Sequence, residues 1–266
     1  MSLSLILNLS ALFSLLPAAI LAQRGGTARD AQFWILLGLA IVGAAGWSWW
    51  ELADSWRTGL SQALWVSIAT CLGLYGLVCL TNRAAVGLSA LLMPYLVVLG
   101  LLATLSRNYS GEDVAGTGPT SWLAVHITVA VVTYGLITLA AVSGLAVFLQ
   151  ERALKAREPS QFGQRLPAVM QAERLEFRLL AYAELVLGAG IVTGMALQVY
   201  ETNQALVGDH KTILSLTSFG VIGFLLLAHK MFGLRGRTAA RVVLLAYLLL
   251  TLAYPGVKFV GSVILG

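Results

Sequence analysis

Eight apolar runs of membrane-spanning length, separated by polar stretches, fill this chain. A helix needs about 20 apolar residues to cross roughly 30 Å of hydrocarbon. The runs near 3–22, 33–52, 61–81, 86–106, 121–149, 178–200, 212–232 and 241–264 meet that length. The pattern predicts an all-α fold: one membrane domain over residues 1–266, built as a polytopic bundle of eight transmembrane helices. The first run has no Lys or Arg ahead of it and exceeds the apolar length of a secretion signal, so a retained helix is expected there rather than a cleaved leader. Asn8 and Pro17 interrupt it only mildly, which a packed membrane helix tolerates.

The polar stretches set the orientation, because cytoplasmic loops hold the excess of Lys and Arg. Loops after the first, third, fifth and seventh runs carry Arg24 and Arg29; Arg83; Arg152, Lys155, Arg157, Arg165, Arg174 and Arg178; and Lys230, Arg235, Arg237 and Arg241. The other side keeps only Arg57, Arg107, Lys211 and Lys258. An N-out, C-out topology follows. Composition agrees: 58% of residues are hydrophobic and 11% charged, against about 25% charged in soluble domains. The net charge of +5 comes from the cytoplasmic bias, which argues against nucleic acid as a partner and leaves the lipid bilayer as the first one.

Two connections are long. Residues 107–120 are polar and glycine-rich and read as an outer loop. Residues 150–177 form a charged cytoplasmic connector in which Leu166, Val169, Met170, Leu175 and Leu179 recur near helical spacing behind Pro167. An interfacial helix running into span six is expected, either as a solvated connector on the headgroups or as a docking surface for another membrane protein. Trp47, Trp49, Trp50, Trp56 and Trp65 crowd the outer loop between spans two and three. They are either an interfacial aromatic belt or, through Trp47 and Trp50 among others, a stacking surface for a flat apolar ligand.

Candidate chemistry is sparse. Cys71 and Cys79 are eight residues apart on one helix, about 12 Å along its axis, too far for a disulfide. No Cys-x-x-Cys-His occurs, so the chain is not expected to be a c-type cytochrome itself, and with no nucleophile elbow, P-loop or His-Glu-x-x-His no catalytic centre is expected. His126 lies five residues into span five from the outer side, where an ionisable group is costly and a functional role is the default. His210 stands at the outer mouth of span seven, either as a second outer ligand or as part of a solvated helix start capped by Asp209. His229 lies near the cytoplasmic end of the same helix, about 28 Å from His210. It is either a ligand or a residue complementing the helix dipole. One metal cannot take both His126 and His229, whereas His126 with His210 is geometrically open. Glu184 in span six and Lys258 in span eight are the other charges at membrane depth, either as supporting polar groups or as snorkelling side chains. A His229–Glu184 contact would orient the imidazole for ligation.

Several short motifs in the second half share an order and a sidedness. They are Val125-His126-Ile127 with Tyr134; Leu166-Pro167, Glu173-Arg174-Leu175 and Arg178; Gly190-Ile191-Val192-Thr193-Gly194; Asp209-His210-Lys211-Thr212; Ala228-His229 before Gly233-Leu234-Arg235-Gly236-Arg237; and Tyr254-Pro255-Gly256-Val257. Together they resemble the membrane proteins of cytochrome c assembly, the CcsA/ResC/CcmC type, and most closely their short eight-span YpjD/HemX-like branch. The resemblance implies haem as cofactor, handled near the outer face, in the cytoplasmic (inner) membrane of a bacterium. It matches His126 to an outer histidine and His229 to a membrane histidine. The family's tryptophan-rich segment before span seven is replaced here by residues 201–209, which contain no tryptophan, and no histidine follows span eight in this sequence. Two other functions stay open: an accessory or regulatory subunit of metal-ion transport or tetrapyrrole synthesis acting through residues 150–177, and a small-solute transporter using Glu184 or Lys258.

Overall fold

A computed structural model describes residues 3–24, 29–54, 59–108, 121–156, 162–202 and 210–256, and gives side-chain surroundings for most of them. The described residues are helical apart from short turns. In chain order the helices are α1 (Leu3–Gln23), α2 (Ala31–Asp54), α3 (Leu60–Thr81), α4 (Ser89–Leu105), α5 (Ser121–Ala156), α6 (Val169–Thr202), α7 (His210–Phe232) and α8 (Gly236–Thr251). Seven segments are long and apolar enough to cross a membrane, one in each of α1 to α7. Within the described residues α8 has 16 residues and runs into a π turn at Leu252–Gly256, so the eighth expected span, near 241–264, begins earlier and is followed here only as far as Gly256. Span four also differs: residues 83–88 form a 3-10 turn ahead of α4, fastened by Asn82, whose side-chain oxygen accepts the Ala84 N–H at 3.0 Å.

The chain packs as two groups of four helices. α1 touches α2 and α4, and α3 touches α2 and α4; in the second group α5 pairs with α6 and α8, and α7 with α6 and α8. α3 against α5 joins the groups, and a continuous apolar core runs through both. α5 is the central helix, its most apolar stretch 83% buried against 22% for α7 at the edge. Phe224, Leu227, Met231 and Phe232 of α7 are exposed, as a lipid-facing side requires. The joints carry polar fasteners. Asn8 is buried in α1 and accepts hydrogen bonds from Trp65 Nε1 at 3.1 Å and Thr104 Oγ1 at 2.8 Å. Where the halves meet, the hydroxyl of Tyr247 on α8 bonds those of Tyr95 on α4 and Tyr134 on α5, the latter at 3.2 Å.

α5 and α6 are longer than a span requires. Their 36 and 34 residues reach about 50 Å at 1.5 Å per residue, well beyond roughly 30 Å of hydrocarbon. The expected interfacial helix is therefore the opening of α6 itself, which starts at Val169 and continues without a break. Most of its apolar stripe meets the protein: Leu166, Leu175 and Leu179 are buried and Val169 partly so, whereas Met170 is exposed. The described part of the connector is clamped to the first helix group. Arg165 donates to the Gln23 carbonyl, Gln23 Nε2 to the Ala90 carbonyl at 2.8 Å, and Gln150 Nε2 to the Gly163 carbonyl at 2.8 Å. Gly87 lets the connector in, since a Cβ there would stand 2.9 Å from the Arg165 carbonyl. Over residues 162–168 the connector is partly covered: Leu166 and Pro167 are buried, whereas Gln164 and Ala168 stay exposed.

Candidate functional site

His229 sits where three elements converge. The end of α3, the start of α6 and the α7–α8 turn, on the side that the loop cations assign to the cytoplasm, meet at one end of the bundle around a cavity of about 840 Å³. Its lining includes Asn82 at the end of α3, the start of α6 through Met170, Arg174, Phe177 and Arg178, and His229 and Arg235 at the α7–α8 turn. That turn is built by Gly233, whose φ of 66° is cheap only for glycine. Gly233 N–H closes on the His229 carbonyl at 3.0 Å, a left-handed helix cap. The reversal brings the Leu234 carbonyl back to the imidazole, 2.8 Å from His229 Nδ1.

A carbonyl only accepts, so Nδ1 carries the proton and the lone pair of the neutral ring falls on Nε2. This is the arrangement that sets an imidazole to ligate a metal. Phe177 holds the ring from the side, stacked with centroids 3.5 Å apart and planes 19° from parallel. The Glu184 contact considered from sequence does not form. Glu184 is seven residues beyond Phe177, about 10 Å along α6, and its carboxylate lies against Gly223 of α7, where a Cβ would come within 2.9 Å of Oε1.

His126 repeats the device at the other end of α6. Its Nδ1 lies 3.1 Å from Thr193 Oγ1. The Thr193 hydroxyl already gives its hydrogen to the Ala189 and Gly190 carbonyls, so it accepts from the ring. Nε2 again keeps the lone pair. Gly194 allows the close approach, since a Cβ would stand 2.9 Å from the imidazole Cε1. Trp122 Nε1 donates to the Thr193 carbonyl at 3.2 Å and braces the same turn. Phe177 and Thr193 are 16 residues apart on one helix, so about 24 Å separates the two imidazole sites. They cannot share one metal.

The other sequence candidates divide differently. His210 is the first residue of α7, but its side chain, with Lys258 and Asp209, lies outside the described residues. The tryptophans do not assemble into one stacking surface. Trp47 is buried and Trp65 wholly so, whereas Trp49 and Trp50 are exposed; Trp56 is outside the described residues. Thr193, Phe177 and the three arginines are the partners that sequence reasoning missed as site residues. Spacing on one helix could have flagged Arg174 and Arg178 as neighbours at i, i+4, but nothing local points to Arg235. Among the described residues no cluster of three His, Cys, Asp or Glu forms.

The family model for cytochrome C assembly protein matches residues 59–265, and the chain belongs to that family. It is a multi-pass, all-helical membrane protein. It is 51% identical over 271 residues to an uncharacterized 28.8 kDa protein in the nifR3-like 5′ region of Azospirillum brasilense, with all of both chains covered. It is 27% identical over 176 residues to the inner membrane protein YpjD of Escherichia coli K12, covering 65% of each. No solved structure matches.

Proposed function

We propose that this protein is a non-catalytic haem-binding member of its family in a bacterial inner membrane, holding haem through His229 at the cytoplasmic end and offering His126 as a separate haem ligand toward the outer face. The observation that carries the reading is the pairing of an oriented imidazole with the cavity beside it: His229 has Nδ1 committed to the Leu234 carbonyl, and the space it borders is about 840 Å³. The residues fit the group. Val169, Met170 and Phe177 would supply an apolar wall, His229 a ligating nitrogen, and Arg174, Arg178 and Arg235 charge for carboxylates. Haem would bring an iron that accepts an imidazole nitrogen. The protein's part is to fix the ring plane through Phe177, fix the tautomer through Leu234, and present the site on helices whose ends are pinned. The inner-membrane location is supported by the likeness to YpjD, itself described as an inner membrane protein.

Optical spectra of the protein purified in detergent test this reading. A Soret band is expected that loses one part in His229→Ala and a separate part in His126→Ala. A protein that takes up no haem when hemin is added would overturn it.

A further inference from the structure

Arg174 and Arg178 follow Met170 at i, i+4 steps and so lie on one face of α6, and Arg235 faces the same cavity from the α7–α8 turn. Positive-inside bias accounts for cations at this end of the molecule. It does not account for three guanidinium groups from two separate elements meeting around the cavity that holds the oriented imidazole. Nor are they spent on neighbours. Arg178 and Arg235 show no hydrogen bond or ion pair among the described residues, and Arg174 only rests on the Met170 sulfur at 3.7 Å.

The acidic residue in the lining, Glu173, is already engaged: its Oε1 accepts the Gly236 N–H at 3.1 Å and caps α8. Gly236 can take that position because it holds φ 64°. Three guanidinium groups and one carboxylate line the cavity, and the nearby Glu151 carboxylate lies against Gly236 behind the turn, so the lining keeps an excess of positive charge. A ligand bearing carboxylates complements it. Arginine is the cation whose planar fork matches a carboxylate with two parallel hydrogen bonds.

Resting on the haem reading above, we propose that Arg178 and Arg235, with Arg174 beside them, form the carboxylate grip of the His229 site, recognising the two propionates of the tetrapyrrole. The apolar wall accepts the macrocycle and the arginines set which edge faces the cytoplasm. The site thus selects an amphipathic, flat dicarboxylic acid over a neutral macrocycle of the same size.

The test is an equilibrium titration of the purified protein with hemin and, separately, with its dimethyl ester, in which both carboxylates are capped. The wild type should bind hemin at least tenfold more tightly than the ester, since hydrogen bonds to charged groups are worth roughly a factor of ten or more each. Arg178→Gln with Arg235→Gln should bring hemin down toward the ester's affinity while moving the ester less than about twofold. Because both arginines are exposed, the fold should hold, and Arg178→Lys with Arg235→Lys, which keeps charge but loses the fork, should fall between. Equal binding of hemin and ester by the wild type, with a Soret band dependent on His229, would overturn the carboxylate grip and leave the haem reading standing. Loss of co-purified anionic phospholipid in the glutamine variant, with the hemin preference intact, would also overturn it and give the arginines to lipid phosphate. Binding of neither ligand would sink the haem reading itself.

Discussion

Two imidazoles have their Nδ1 protons assigned by their partners: a carbonyl, which only accepts, for His229, and for His126 a hydroxyl whose own hydrogen is already given to the Ala189 and Gly190 carbonyls. Such outer partners are worth about ten- to a hundredfold in ligand affinity at metal sites. Thr193→Val keeps the size of the side chain and removes the acceptor. It should weaken ligation at His126 by about tenfold or more, read as a shallower His126-dependent part of a haem titration, with the His229-dependent part unchanged. An unaltered His126-dependent titration would show that the hydroxyl does not orient the ring. The depth of His126 was legible in the sequence, because position along a span needs only a count from its end. Its partner was not, because Thr193 is 67 positions away on another helix and its match to His126 depends on how α5 and α6 rotate against each other. Glu184 failed for another reason: a count from the span end placed it level with His229, but α6 meets His229 through Phe177, so Glu184 lies about 10 Å further along, against Gly223.

At the scale of elements, the α7–α8 turn makes the inner site. Gly233 in the left-handed region lets Leu234 reach back to His229, and Gly236 in the same region lets Glu173 cap α8. Gly233→Ala forces a side chain into that conformation at a cost of about 1–2 kcal/mol. Thermal unfolding in detergent should therefore show a lower midpoint, and the His229-dependent haem affinity should fall with it. A midpoint and affinity both equal to wild type would show that the turn neither strains nor orients. Helix existence was readable from apolar run length alone. Helix ends were not: α5 and α6 outlast their apolar runs because packing on each other and on the clamped connector sustains them beyond the hydrocarbon. The tryptophan-rich stretch shows a similar limit, since Trp65 belongs to the core through its bond to Asn8 and not to the interface its composition suggests.

For the whole molecule, charge asymmetry between loops and the meeting of the α3 end, the α6 start and the α7–α8 turn at one end agree, as they must if that end faces the cytoplasm. Reporter tags fused at either end of the chain should read out as external, and a tag in the connector near residue 157 as cytosolic. The reverse pattern would put the His229 cavity outside and His126 inside. The central claim is that His229 Nε2 is the nitrogen that holds haem. The most direct measurement is the haem titration of His229→Gly with and without free imidazole. The account predicts that the glycine variant loses the His229-dependent part of the Soret change and that added imidazole, occupying the vacated space, restores it. A glycine variant that binds haem as the wild type does, indifferent to imidazole, would contradict it.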